Sequence, residues 1–282
     1  MDDGTGTRTS RGGALMGGVT KVAGRAAGKA HRASQYARAY RNWPEAMAMR
    51  ALPARASDEG TRVVRCRNGI RVAVRPRSSD MYIVSEGLAY GAYDALAPIL
   101  RAGSGPRAVV DLGAHIGVFS LLAASSSPEV RAIAYEPGPD NARMLRRNVA
   151  LNPALAPRIE VNQAAAGARA GTAFWELDER DPSGSHLVES GRGHQVLLVG
   201  LRDVLDAAPL PLACMKIDIE GSEYALLDGS DPADWSDVPA VLVELHPDPA
   251  GESSPAEWIA RMTALGYVER GRAIDTVALV RP

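Results

Sequence analysis

Three stretches of the chain gather side chains whose types and spacing could do chemistry. The first reads Asp111-Leu112-Gly113-Ala114-His115-Ile116-Gly117, between an apolar run and a helical one. Glycines there let the backbone pass close to a ligand, and the start of a helix offers unpaired N–H groups. The second is Lys216-Ile217-Asp218-Ile219-Glu220-Gly221-Ser222-Glu223, where charged groups crowd the exit of an apolar strand. Such groups are costly unless they pair, bind a ligand or reach solvent. If the backbone stays extended, alternation puts Lys216, Asp218 and Glu220 on one side, with Lys216 neutralising one carboxylate. Glu223 reads as an acid stabilising the first turn of the following helix. The third stretch is Val243-Glu244-Leu245-His246-Pro247, again closing an apolar strand, with Glu244 and His246 on one side. An imidazole titrates near neutrality and is a natural base for a hydroxyl proton, so His246 ranks first, Asp218 second and Glu220 third as proton acceptor. Asp218, Glu244 and His246 also have the donor types to hold a divalent ion, although spacing across separate strands fixes no geometry.

Glu136 lies 25 residues after Asp111, in Tyr135-Glu136-Pro137 at the end of the next apolar run. An acid at that place can accept hydrogen bonds from both hydroxyls of a ribose. The turn itself reads D-x-G-x-x-x-G, whereas a dinucleotide fingerprint needs G-x-G-x-x-G so that a second glycine admits the pyrophosphate. Asp111 at the head of the turn repels a pyrophosphate and attracts an ammonium. S-adenosylmethionine therefore fits these residues better than a nicotinamide dinucleotide.

Residues so far apart in sequence meet only if strands and helices bring them to one edge. From Arg107 onward strand and helix signals alternate, the pattern of a parallel sheet flanked by helices. Strands are expected at 108–111, 130–135, 158–162, 172–177, 212–218 and 240–245, with 267–270 and 274–280 as a closing antiparallel pair. Helices are expected at 118–124, 139–152, 222–228 and 255–265. The three clusters and Glu136 then fall at carboxyl ends of strands, where open α/β sheets place their ligands. Upstream, residues 33–52 carry a helical pattern interrupted by Pro44, and 86–101 reads as another helix. Between them Asn68-Gly69 joins two alternating segments, 61–67 and 70–75, and predicts a type I′ hairpin. Asp178–His194, rich in Gly, Ser and charge, is expected as a structureless loop covering the acceptor.

Composition excludes several classes. The chain has 282 residues, 46% of them hydrophobic, enough to bury a substantial core and to rule out a wholly disordered chain. Two cysteines, Cys66 and Cys214, exclude a disulfide scaffold and a four-cysteine zinc site. No run of about 18 uncharged apolar residues predicts a membrane span. The net charge of −1 hides an asymmetry: residues 1–57 carry +7 and the remainder −8. The acidic body argues against sequence-independent nucleic-acid binding. The basic, Gly- and Ala-rich start reads as a solvated leader without a secretory pattern, which makes the expected location cytoplasmic.

The ordered set DLGAHIGVFS, YEPGPDNARMLRRN, KIDIEGSEYALLDG and VLVELHP resembles the FkbM family of S-adenosylmethionine-dependent methyltransferases. The resemblance runs from about Arg65 to Gly266, and KIDIEGSE followed by VELHP is its most specific part. It implies a class I methyltransferase fold, an α/β Rossmann-like seven-stranded sheet with helices on both faces. Composition and element pattern divide the chain into a flexible basic leader at 1–34, a helix and β-hairpin extension at 35–104 and, with the resemblance, a methyltransferase domain at 105–282. It also implies transfer to a hydroxyl oxygen of a sugar, polyketide or other secondary-metabolite or cell-surface scaffold. Asp111, Gly113 and Gly117 match the motif that cradles the cofactor, with His115 standing where the family commonly has Asn. Glu136 with Pro137 matches the ribose-binding acid, Asn141 follows it, Ala165 falls where the chain passes the adenine, and Asp218 lies beside the methyl-transfer region. The partners implied are a small-molecule or glycan acceptor, with the hairpin and first helix as the other wall of the acceptor site or as a homo-oligomer contact. N-methylation of an amide or amine, and a non-catalytic cofactor-binding relative, are the competing readings.

Overall fold

The computed structural model describes residues 28–51, 60–102, 104–176, 186–188, 193–273 and 276–282. Most of the expected leader, and residues 178–185 and 189–192 of the expected loop, lie outside them. The described chain opens with helix α1 over 28–39 and α2 (Trp43–Ala51). Pro44 falls in the first turn of α2, where its missing N–H breaks no helical hydrogen bond. Strands β1 (Arg62–Arg65) and β2 (Arg71–Val74) form an antiparallel hairpin. Its turn is not the type I′ expected, because Asn68 keeps a negative φ and only Gly69 is left-handed, at 93°. Gly69 N–H donates to the Cys66 carbonyl and Cys66 N–H to that of Ile70, so the loop has three residues with glycine in the bulge position. The helix expected at 86–101 is also divided: α3 (Asp80–Leu88) stops before Gly91, whose φ is 76°, and α4 (Ala97–Ala102) follows a short 3-10 turn.

From here strands and helices alternate as expected: β3 (Arg107–Leu112), α5 (Val118–Ser126), β4 (Val130–Tyr135), α6 (Pro139–Ala150) and β5 (Ile159–Asn162). Four more strands come next, β6 (Ala164–Ala166), β7 (Gly171–Glu176), β8 (His186–Val188) and β9 (His194–Val199). They form a second sheet in the order β6-β9-β7-β8. Part of the segment expected as a structureless loop is therefore strand, paired antiparallel with β7. The chain closes with α7 (Leu201–Ala207), β10 (Leu212–Ile217), α8 (Glu223–Gly229), β11 (Ala240–Glu244), α9 (Pro255–Ala264), β12 (Val268–Ala273) and β13 (Thr276–Val280).

The main sheet has seven strands in the order β12-β13-β11-β10-β3-β4-β5. β11, β10, β3, β4 and β5 pair in parallel, while β13 runs antiparallel to both of its neighbours. The central strand β3 is buried at every position, as a strand covered on both faces must be. Its alternate residues face two cores. Ala108, Val110 and Leu112 pack with residues of α7, α8 and α9, among them Leu226, Trp258 and Met262. Val109 packs with Phe119 and Leu100 on the other side. The hairpin, α1 and α3 build a further cluster against α5 and α6 through Tyr36, Val72 and Met81, with Tyr40 just past α1. Among the described residues no helix is long and apolar enough to cross a membrane.

Candidate active site

The carboxyl ends of β3, β4 and β10 open onto a cleft of about 800 Å³, its solvent mouth included. Its floor comes from the turns after those strands. Its walls include Ile83 of α3, Tyr93 before the 3-10 turn, Ala165 of β6 and Trp175 of β7. The amino-terminal extension and the second sheet thus both reach the cleft.

The β3–α5 turn is held in conformations that few residues adopt. Gly113 has a φ of 74°, and a Cβ on it would overlap the Asp218 carbonyl oxygen. Gly117, at 88°, caps α5, and a Cβ there would overlap the Leu145 side chain. His115 is also left-handed, at 49°; Asn and His are among the residues that tolerate this region, which accounts for either at this place. Gly113 and His115 line the cleft, whereas Gly117 and Asp111 act from behind it. Asp111 is buried, accepts a hydrogen bond from Ser120 Oγ at 2.6 Å and faces Lys216 Nζ at 3.6 Å. Burial raises its pKa, partly countered by Lys216.

Glu136 is 3% exposed and lines the same cleft with Pro137 and Asn141. Its Oε2 accepts the His115 N–H at 2.8 Å, and its Oε1 accepts the Gly138 N–H at 2.9 Å and Asn141 Nδ2 at 3.3 Å. Burial pushes the carboxyl up to about 7 against the opposing pull of these hydrogen bonds. Burial likewise lowers His115 to about 4, leaving its ring neutral at pH 7. His115 Nδ1 is buried without a hydrogen-bond partner among the described residues.

Beyond β10 the chain does not stay extended. Glu220 and Gly221 both turn left-handed, with φ of 53° and 94°, so the expected alternation of Lys216, Asp218 and Glu220 ends after Ile217. Lys216 Nζ donates to Asp218 Oδ2 at 2.9 Å and to the Gly113 carbonyl at 3.1 Å. Burial opposes its charge, yet Asp218 and Asp111 more than offset that and raise its pKa. Lys216 thus ties the ends of β3 and β10 together. Asp218 and Glu220 both line the cleft.

His246 stands behind Glu220. Its Nε2 lies 3.5 Å from Glu220 Oε2 and 3.8 Å from Glu244 Oε1, while Nδ1 is 2.9 Å from Glu223 Oε1. Burial would lower the imidazole, but the Glu223 hydrogen bond and the charges of Glu223, Glu220 and Asp218 outweigh it and raise the pKa to about 9. Burial pushes both Glu220 and Glu244 up to about 7, with nearby carboxylates adding to it and His246 opposing it. Ligand atoms of Asp218, Glu244 and His246 lie within 4.8 Å of one another, the spacing of a divalent-ion site, though Lys216 and His246 already bring positive charge to the cluster.

Sequence reasoning missed Glu223 as more than a helix-start acid. It is fully buried, and its Oε1 also accepts the Ile219 N–H at 3.0 Å. The available signal was its place in one motif with Glu220, ahead of His246 in the next. Ile83, Tyr93 and Trp175 carried no signal, since apolar and aromatic side chains at these spacings read as core.

The model of the methyltransferase FkbM domain matches residues 111–269. Methyltransferase sdnD of Sordaria araneosa is 31% identical over 176 residues, 51% of this chain and 67% of that protein. The 31-O-demethyl-FK506 methyltransferase FkbM of Streptomyces tacrolimicus is 27% identical over 169 residues, 49% of this chain and 65% of that protein. The chain thus spans about two thirds of the length of these curated relatives. Among solved structures, precorrin-6y C5,15-methyltransferase from Geobacter metallireducens GS-15 superposes with a TM-score of 0.38 at 13% identity, covering 66% of this chain and 84% of that one.

Proposed function

The chain belongs to the FkbM methyltransferase domain family, which depends on S-adenosylmethionine, and from that premise we propose that it methylates a hydroxyl oxygen of a sugar, polyketide or similar scaffold. The residues of the cleft suit the cofactor. Glu136 offers a buried carboxylate for the ribose hydroxyls, and the unpartnered His115 Nδ1 offers a further polar contact in the same turn. Ala165, Pro137 and Trp175 offer an apolar slot for a planar base. When bound, the cofactor supplies a methyl group that is already electrophilic, so the protein's own work is to hold the acceptor and remove its proton.

Transfer to oxygen is supported above all by Glu220. A sugar or alkyl hydroxyl is a poor nucleophile at neutral pH and needs a base. Glu220 has a carboxyl on the cleft wall, a left-handed backbone that aims it there, and a pKa raised to about 7 by burial. A base is most effective when its pKa lies near the working pH. His246, first choice on residue type, is held as imidazolium by Glu223, and Asp218 is paired with Lys216. In this reading Glu220 accepts the hydroxyl proton, His246 orients Glu220, and Lys216 with Asp218 holds the floor beneath the acceptor. The name of the Streptomyces relative, which describes an O-methyl transfer, agrees with this assignment.

The test is release of S-adenosylhomocysteine with panels of polyhydroxylated and of amine acceptors, for wild type and Glu220→Gln. Turnover with a hydroxylated acceptor, rising with pH through about 7, and a loss of at least about 100-fold in kcat for the variant at near-unchanged cofactor affinity are expected. Methylation confined to nitrogen, or full turnover by Glu220→Gln, overturns the reading.

A further inference from the structure

The hairpin strand β2 lies outside the residues matched by the family model, yet asparagine side chains of α6 and the turn after it stitch it to the cofactor side of the fold. Asn152 Oδ1 accepts the Arg71 N–H at 2.9 Å, and its Nδ2 donates to the Arg71 carbonyl at 2.7 Å. Asn148, fully buried, treats Ala73 the same way, at 2.7 and 3.2 Å. Each amide thus replaces a neighbouring strand, satisfying one donor and one acceptor of the edge. A strand presents every second residue to one side, and a helix repeats a face every three to four residues. Residues 71 and 73 of β2, and Arg75 just past its end, therefore run along 152, 148 and 141.

The last rung differs, because it joins side chains. Arg75 Nη2 donates to Asn141 Oδ1 at 2.7 Å, and Asn141 Nδ2 donates to Glu136 Oε1 at 3.3 Å. Arg75 is itself fixed by the fully buried Asp80, with Nε on Oδ2 at 2.9 Å and Nη2 on Oδ1 at 2.6 Å. Asp80 Oδ2 also accepts the Arg75 backbone N–H at 2.7 Å. An amide has one accepting end and one donating end. With Arg75 on its oxygen, Asn141 must turn its NH2 toward Glu136. A rotated amide would set its oxygen against the carboxylate and repel it.

We propose that Arg75, carried by the amino-terminal hairpin and locked by Asp80, is a positioning residue for the cofactor: it fixes the Asn141 amide and through it the Glu136 carboxylate that takes the ribose hydroxyls. This rests on the reading of Glu136 given above. It makes the hairpin part of the cofactor site, although no hairpin residue need touch the ligand. Lysine cannot replace Arg75 here, since one ammonium cannot reproduce a planar fork that reaches a carboxylate and an amide together.

The experiment is calorimetric titration with S-adenosylhomocysteine of full-length wild type, Arg75→Lys, Asn141→Ala, their double variant and Glu136→Gln, with melting curves to confirm folding. Arg75→Lys and Asn141→Ala are each expected to weaken binding by about tenfold, and the double variant by no more than about twofold beyond either single one. The pH midpoint of binding, set near 7 in wild type by Glu136, is expected to rise in Arg75→Lys; a merely structural role would leave it in place. Asn141→Asp keeps the Arg75 contact but loses the donor, leaves the Asp80 pair untouched, and serves if Arg75→Lys does not fold; it too is expected to weaken binding by at least about tenfold. Wild-type affinity in Arg75→Lys or in Asn141→Asp, or losses that multiply in the double variant, overturns the relay. Unchanged affinity in Glu136→Gln instead overturns the underlying reading of the site, whatever Arg75 does.

Discussion

At the scale of single residues, the site is a set of charges controlled by their neighbours. His246 and Glu223 show this most clearly, since the carboxylate of one decides the proton of the other. Glu223 is fully buried, and its Oε1 also accepts the Ile219 N–H at 3.0 Å, so the side chain has little freedom to leave the imidazole. Replacing Glu223 by Gln keeps the shape and removes the charge. The sign follows directly: losing a nearby negative charge disfavours the protonated ring, so its pKa must fall. NMR titration of His246 is expected to move from about 9 in wild type to a value at least about one unit lower in Glu223→Gln. Glu223 is also one of the carboxylates that raise Glu220, so while His246 stays protonated the Glu220 carboxyl and the acid limb of turnover shift downward. An unmoved His246 midpoint would show that Glu220 and Asp218, not Glu223, hold the proton.

At the scale of elements, strands and helices converge because each ends at a turn that a particular residue permits. Gly113 and Gly117 let β3 pass into α5, and Gly221 with Glu220 lets β10 pass into α8. Lys216 then bridges the two strand ends. The hairpin has no strand partner in the main sheet, and asparagines of α6 and the turn after it take that role. Asn148→Leu removes hydrogen bonds to both backbone groups of Ala73 and to the Ile116 carbonyl. Leaving such groups buried and unpaired costs about 1–3 kcal/mol each, with relaxation recovering a part. A net destabilisation of about 2–4 kcal/mol is expected, read from denaturant unfolding monitored by circular dichroism. A change under about 0.5 kcal/mol would mean that packing alone docks the hairpin.

For the whole molecule, buried titratable groups make stability depend on pH in windows that can be separated. Glu136, Glu220 and Glu244 stand near 7 in the fold against an ordinary 4.5, so the unfolded chain releases their protons first and stability falls as pH rises from about 4.5 to about 7. His115 works the other way, standing near 4 against 6.5, so its contribution is lost as pH falls between those values. His246, raised from 6.5 to about 9, contributes fully below 6.5 and loses that contribution as pH rises through about 9. Above about 8 the His246 effect stands alone among these groups. The ligand-free protein is expected to lose stability on the order of 1 kcal/mol between about pH 8 and 9.5, and His246→Gln to show little slope there. Scanning calorimetry across that range checks it; an equal slope in the variant would place the linkage elsewhere.

The order of strands and helices in the catalytic half was legible in the sequence because local patterns carry it. Val130–Tyr135 is a strand over the expected residues, and the antiparallel closing pair forms near 268–280 as expected. Acids and glycines at strand ends announced the cofactor family and put Glu136, Asp218 and Glu220 on one cleft, since an open parallel sheet gathers its strand ends at one edge. Period-two alternation could not carry Lys216, Asp218 and Glu220 past Ile217, because the left-handed backbone at Glu220 resets the direction of each side chain. Nor could it show that His246 meets a buried carboxylate 23 residues away. Local pattern likewise missed β6, β8, β9 and α7, and with them the second sheet, whose pairing comes from partners distant in the chain. Residue type and spacing determined the fold and the chemistry available at its edge. Burial and contacts across elements decided charge states and partners, because a pKa and a hydrogen bond depend on what surrounds a group in space and not on its neighbours along the chain.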